Sequence, residues 1–245
     1  MPTMSAATEL KRRMPLTLPQ PPGQVNPAGT TPAETTYSIS EHVAHPEQLF
    51  QRIRSAALSV ARSLGLPDSA WQRVPMEVPP TAFGPGSRWQ FAHYFEGESG
   101  VPVTSIDDIV AWLGTCEYAS DAELFHEPDL WQQPCAFEQL QRGDCEDFAL
   151  WAWRKLIEIG LEAEFFVGRV ICDEPAIDRQ HAWVVYRSGR DAYLFEPAAR
   201  DRQLMIRPLE AVRDEYVPHF AVDRRFATSA FVGCILDSRR EIGAT

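Results

Sequence analysis

The stretch Gly143-Asp144-Cys145-Glu146-Asp147-Phe148-Ala149-Leu150 sets a thiol where a helix begins. Asp144 is a good N-cap, and Asp147, three places on, completes a capping-box pattern. Phe148, Ala149, Ala152, Leu156 and Ile159 recur at helical spacing, and Gly160 ends the run. A thiol in that first turn lies against the positive end of the helix dipole and beside backbone N–H groups that have no intrahelical partner. Both favour thiolate over thiol, which marks Cys145 as a candidate nucleophile. Downstream, His181 opens the apolar run His-Ala-Trp-Val-Val-Tyr, and Arg187-Ser188-Gly189-Arg190 leads to a second run, Ala192 to Glu196. With Ser188-Gly189 as the turn of a hairpin, Arg187 faces Arg190 and the ladder sets His181 directly opposite Glu196, with Cβ atoms about 4.5–5.5 Å apart. A nucleophile, a base and a carboxylate to orient the base are all present.

The elements that must position these groups follow from pattern. From His45-Pro46, the residues Leu49, Phe50, Ile53, Ala57, Val60, Ala61 and Leu64 mark an amphipathic helix closed by Gly65. Residues 71–104, dense in Pro, Gly and aromatics, read as an ordered wrapping loop. Ser105 caps a helix through Leu113, with Asp107 and Asp108 in its first turn. Tyr118 to Gln133 is a polar loop suited to one wall of a cleft. Ala163 to Cys172 reads as a buried strand, and Asp173 to Gln180 as an acidic loop before the His181 hairpin. Leu204 to Ile206 adds a strand, Leu209 to Tyr216 a short helix and Phe231 to Leu236 a closing strand. Residues 1–40 are a disordered Pro/Thr-rich tail, 41–104 an accessory helix and wrap, 105–237 the core and 238–245 a polar tail. The N-terminal tail is also a candidate for partner docking.

The 245 residues, 44% hydrophobic, suffice for one substantial core. A net charge of −11 argues against nucleic acid or an anionic membrane as partner. Cys116, Cys135, Cys145, Cys172 and Cys234 are odd in number and lack metal-ligand spacing, so a reducing, cytoplasmic setting is expected. No apolar run reaches the ~18 residues of a membrane span.

Taken together, Gly143-Asp144-Cys145-Glu146-Asp147-Phe148-Ala149, Gly160-Leu161, His181-Ala182-Trp183-Val184 and Phe195-Glu196-Pro197 resemble the transglutaminase-like cysteine peptidase superfamily. Tyr118, Asp121 and Asp129-Leu130-Trp131-Gln132 resemble the lead-in of its bacterial branch. The likeness spans roughly residues 105–207. It implies an α+β, papain-like fold with a central helix packed on an antiparallel sheet, and an acyl-enzyme route with Cys145, His181 and Glu196 as catalytic residues. The family usually carries Asp at the third place, where this chain has Glu196, one methylene longer.

On that reading the Cys145 N–H is the first oxyanion donor, and the Trp131 indole or the Gln132 or Gln133 amide is the second. A buried structural cysteine, a surface histidine, a solvated carboxylate and a core tryptophan are the competing readings of Cys145, His181, Glu196 and Trp131. Asp144, Glu146 and Asp147 crowd three carboxylates around the thiol. Some periplasmic members of the bacterial branch bind calcium with such a cluster, whereas helix capping explains these residues with no cofactor, and capping is the expectation. The expected activity is a cysteine-dependent hydrolase or acyltransferase on an amide bond of a peptide or protein. The alternative is a non-catalytic binding module on the same fold.

Overall fold

A computed structural model describes residues 46–67, 69–171 and 180–233. Cys172, Cys234, both tails and the acidic loop before residue 180 lie outside the described residues. In chain order the helices are α1 Pro46–Ser63, α2 Ile106–Leu113, α3 Asp121–Leu124, α4 Pro134–Leu140, α5 Cys145–Glu158, α6 Arg202–Met205 and α7 Leu209–Val212. The strands are β1 Arg73–Val74, β2 Glu117–Tyr118, β3 Arg142–Gly143, β4 Glu162–Val170, β5 Gln180–Ser188, β6 Asp191–Phe195, β7 Ile206–Pro208, β8 Tyr216–Val222 and β9 Thr228–Phe231. Seven strands form one sheet in the order β1-β9-β8-β4-β5-β6-β7, every pairing antiparallel, while β2 and β3 make a short parallel bridge. The fold is α+β, with α5 packed on the centre of the sheet.

Strand alternation explains how one sheet serves two cores. Phe165, Val167, Ala182, Val184 and Phe220 point toward α5, where Phe148, Leu150, Trp151, Trp153 and Leu156 are buried. Phe166, Trp183, Val185, Leu194 and Tyr216 share the opposite face. Trp151 and Trp153 are core residues, but each indole N–H also finds an acceptor, Glu138 Oε1 at 2.8 Å and the Ala163 carbonyl at 3.1 Å. Burying those donors unpaired would cost about 1–3 kcal/mol each. Lys155, also buried, meets Glu158 at 3.0 Å, Glu138 at 3.4 Å and the Val101 carbonyl at 2.7 Å, which ties α5 to the loop before α2.

The apolar stripe of α1 is buried through Ile53, Ala57 and Ala61 in the same cluster as α5, and Gly65, at φ +61°, follows its end. Segment 71–104 holds the short strand β1, which pairs with β9, then two 3₁₀ turns, Pro80–Ala82 and Phe91–Phe95, and buries Phe83, Phe91 and Tyr94. The capping box of α2 forms: Asp108 N–H donates to Ser105 Oγ at 3.1 Å and Ser105 N–H to Asp108 Oδ2 at 3.0 Å.

Four expectations are corrected. The hairpin turn is Gly189-Arg190, because Ser188 pairs with Asp191, so Glu196 does not face His181. Residues 206–208, not 204–206, form the added strand, since 202–205 make the helical turn α6. Tyr216 does not end a helix but begins β8, a fully buried strand between β4 and β9; of the expected strand 231–236 only Phe231 is in a strand, the end of β9, and residues 234–236 lie outside the described residues. Pro218 is tolerated inside β8 because it lies opposite Gly168 where the β4–β8 register shifts, so its missing N–H falls at an irregularity in the ladder.

Candidate active site

Cys145 is the first residue of α5, and the turn that delivers it is set by Gly143 and Asp147. A Cβ on Gly143 would overlap the Asp147 carboxylate, so that close approach requires glycine. Asp147 Oδ1 accepts from the Gln132 N–H at 2.8 Å, and Oδ2 accepts from the Gln132 amide at 2.5 Å and the Asp144 N–H at 3.4 Å. Asp147 is therefore the knot between the helix start and the segment before α4. The bridge of β2 to β3 sets the half-exposed Tyr118 beside Gly143, with its ring 6.2 Å from that of Phe148.

His181 and Glu196 meet. His181 Nε2 lies 2.7 Å from Glu196 Oε2. With the true register, Glu196 lies diagonal to His181 on the same sheet face, a separation of about 7–8 Å between backbones that the longer glutamate side chain spans. Tyr216 OH donates to the same oxygen at 3.1 Å.

The sulfur adopts a different contact. Cys145 Sγ donates to Glu146 Oε2 at 3.1 Å, and no hydrogen bond joins it to the His181 imidazole. Burial pushes the thiol pKa well up, the Glu146 and Asp144 charges add to that, and the Ala182 N–H opposes it. The Ala182 amide is the peptide link to His181, so the sulfur sits beside the backbone next to His181. A helix start alone predicts an acidic thiol; here desolvation and adjacent carboxylates outweigh the dipole.

The expected oxyanion donors have other partners or neighbours. The Gln132 amide is held by Asp147 and the Arg142 carbonyl, and the Gln133 amide by His93 at 2.9 Å. Trp131 is buried with its ring against Phe91, Tyr94 and Phe165.

The carboxylate cluster differs in membership from the set marked in the sequence. Asp121, Asp144 and Glu146 bring one oxygen each within 4.8 Å of one another, whereas Asp147 is spent on Gln132. Asp121 Oδ1 and Asp144 Oδ1 are buried without a hydrogen-bond partner. With Asp121 and Glu146 buried and Asp144 half-buried, the three oxygen donors could hold a hard divalent cation. Sequence spacing alone did not bring Asp121 to this cluster or Tyr216 to Glu196. Asp121 was visible only as part of the lead-in.

Burial pushes the Asp121 pKa up to about 6, with Asp144 and Asp129 adding to it against the Leu130 N–H. Asp144, Glu146 and Asp147 shift in the same direction, with burial the largest cause in each. A folded-state pKa above the unfolded one means stability is fully present below about pH 4 and is lost as pH rises through about 6. The cation-free protein should thus melt higher at about pH 5.5 than at about pH 7.5. Asp121→Asn should raise the melting temperature at about pH 7.5 by about 2–4 °C. Thermal melts across that range check both; a melting temperature that falls steadily on acidification contradicts them.

No family model matches the chain, and no curated protein does. Solved structures of LapG from Legionella pneumophila are similar to it. The EGTA-treated form aligns over 70% of this chain and 80% of its own at 15% identity and TM-score 0.38. The calcium-bound form covers 74% and 85%, and a third LapG structure 71% and 84%, both at 15% identity and TM-score 0.39. Among the described residues, Cys116, Cys135 and Cys145 are free thiols, and no helix is long and apolar enough to cross a membrane.

Proposed function

We propose that this chain is a cysteine-dependent hydrolase or acyltransferase acting on an amide bond of a peptide or protein, with Cys145 as nucleophile, His181 as base and Glu196 as its orienting carboxylate. The observation that carries the reading is the 2.7 Å pair of His181 Nε2 with Glu196 Oε2, in a chain whose thiol lies against the next backbone amide. A carboxylate on Nε2 fixes the proton there and leaves the Nδ1 lone pair to act as base.

In the reaction the Cys145 thiol leaves Glu146 and gives its proton to Nδ1. The sulfur then bonds to the carbonyl carbon, and the oxygen takes up the negative charge beside the helix-start N–H groups. The C–N bond breaks as the imidazolium returns the proton to the departing amine. Water or an acceptor amine then attacks the thioester and regenerates the thiol. A reducing compartment, where the thiol persists, suits this chemistry. Asp121, Asp144 and Glu146 would hold a divalent cation, which would supply positive charge that offsets the carboxylates now raising the thiol pKa.

Glu146→Gln removes one of those charges, and it should speed iodoacetamide labelling of Cys145 at about pH 7 by about tenfold, a shift of one unit in thiol pKa. Intact mass against time reads the rate; slower labelling in the variant would mean Glu146 activates the thiol. The binding-module reading is favoured by the bond from the sulfur to Glu146 in place of His181. Exposure to electrophilic peptide probes, with Cys145→Ala as control, decides between them. A single adduct lost in the control supports the enzyme, and no adduct supports the module.

A further inference from the structure

The carboxylate of Glu196 is held asymmetrically. Oε2 accepts from His181 at 2.7 Å and from Tyr216 OH at 3.1 Å, while Oε1 is buried with no partner. Both donors converge on one oxygen, so a rotation of the carboxyl that frees one frees the other. Tyr216 is held in turn: Arg207 Nη2 donates to its hydroxyl oxygen at 3.0 Å and Arg207 Nη1 to Glu215 Oε2 at 2.8 Å. The guanidinium carbon lies 5.7 Å from the centre of the Tyr216 ring, and Trp183 packs edge-on at 5.1 Å. His181 of β5, Glu196 just past β6, Tyr216 of β8 and Arg207 of β7 therefore form one hydrogen-bonded chain.

The bond that Arg207 donates settles which way the Tyr216 proton points. With a guanidinium donating to the phenol oxygen, the hydroxyl hydrogen is directed to Glu196. Burial, and next the nearby Glu196 charge, raise the Tyr216 pKa well above its ordinary value, so the hydroxyl remains a donor throughout the usable pH range. A glutamate has one more rotatable bond than an aspartate, and so more freedom to lose its alignment with an imidazole. Tyr216 removes that freedom.

We propose that Tyr216, aligned by Arg207, is the positioning residue that fixes the Glu196 carboxyl and through it the Nε2–H tautomer of His181. Its consequence for acyl transfer rests on the function proposed above, whereas its effect on the imidazole does not. The charge-assisted bond from tyrosine to glutamate is worth enough for its loss to change the reactivity of Cys145 by about tenfold.

The test is imidazole ¹⁵N spectroscopy of the full chain, with His181→Ala to assign the signal, beside alkylation of Cys145. In the wild type the neutral imidazole of His181 should carry its proton on Nε2 and none on Nδ1. In Tyr216→Phe that signal should move to a mixture of tautomers with the other histidines unchanged, and alkylation should slow about tenfold. Arg207→Gln should act in the same direction and Arg207→Lys should restore the signal, which keeps the proposal falsifiable should Tyr216→Phe not fold. An unchanged tautomer in Tyr216→Phe, or in Arg207→Gln where the first variant is insoluble, overturns the proposal. A tautomer shift in Tyr216→Phe alongside wild-type alkylation that is indifferent to His181→Ala upholds the positioning role and removes the hydrolase reading instead.

Discussion

His181→Ala should slow acylation of Cys145 by a peptide electrophile by about 10²–10⁴-fold, the range expected when a positioned general base is removed. The reason is specific to this site. Burial and the Glu146 and Asp144 charges hold the thiol pKa well above its ordinary value, so little thiolate exists at neutral pH unless a base takes the proton. A thiol already acidic from a helix dipole would lose far less. Glu196→Gln should produce a smaller loss of the same kind, since the amide still offers an oxygen to Nε2 but no charge to stabilise the imidazolium. Glu196→Asp tests the diagonal geometry, because shortening the side chain by one methylene withdraws the carboxylate from a histidine it reaches only at full glutamate length. Rates from intact mass, with Cys145→Ala as the unreactive control, measure all three. Equal rates for wild type and His181→Ala would leave the fold as a binding scaffold.

How far the site was legible follows from which interactions are local. The α5 start and the Ser105 cap are readable because their cues lie within a few residues of one another. The hairpin was misread by one turn residue at each strand end: Gly189, at φ +64°, occupies the first loop position and not the second. That error moved the facing pair by two residues, and because side chains alternate with period two, His181 and Glu196 stayed on one face and still met. An odd slip would have separated them. The strand β8 is hidden by Pro218, whose cost is relieved only at the register shift against β4, where β8 carries one residue more than its partner, and no local pattern announces that shift. Asp121 reaches the Asp144 and Glu146 oxygens from more than 20 residues away, and Asp147 was assigned to that cluster on spacing alone. Spacing placed three carboxylates near the thiol; only the fold shows that one of them is spent on Gln132. The sign of the thiol's pKa shift was likewise beyond spacing, because it depends on burial that a helix-start pattern does not reveal.

Gly168→Ala should destabilise the protein by about 3 kcal/mol or more and should disturb His181 before the fold is lost. Gly168 is the ladder partner of His181 on β4, at the point where the β4–β8 register shifts. A Cβ there would overlap the Val217 carbonyl and approach Trp183 and the Pro218 backbone within 2.8–2.9 Å. Two of those neighbours are backbone, and the third is a fully buried indole whose ring stacks at 5.9 Å on Phe166 and at 6.2 Å on His181. None is a flexible tip that can swing aside, so relief requires moving a strand or the tryptophan under the imidazole. The same glycine thus permits Pro218 inside β8, the Trp183 stack and the position of His181. At temperatures where Gly168→Ala remains folded, its His181 ¹⁵N signal should already depart from that of the wild type while histidines away from the strand keep theirs. A variant with an unshifted melting temperature and an unshifted His181 signal would show that the sheet absorbs the methyl group, and the rigidity ascribed to the floor of the site would be wrong.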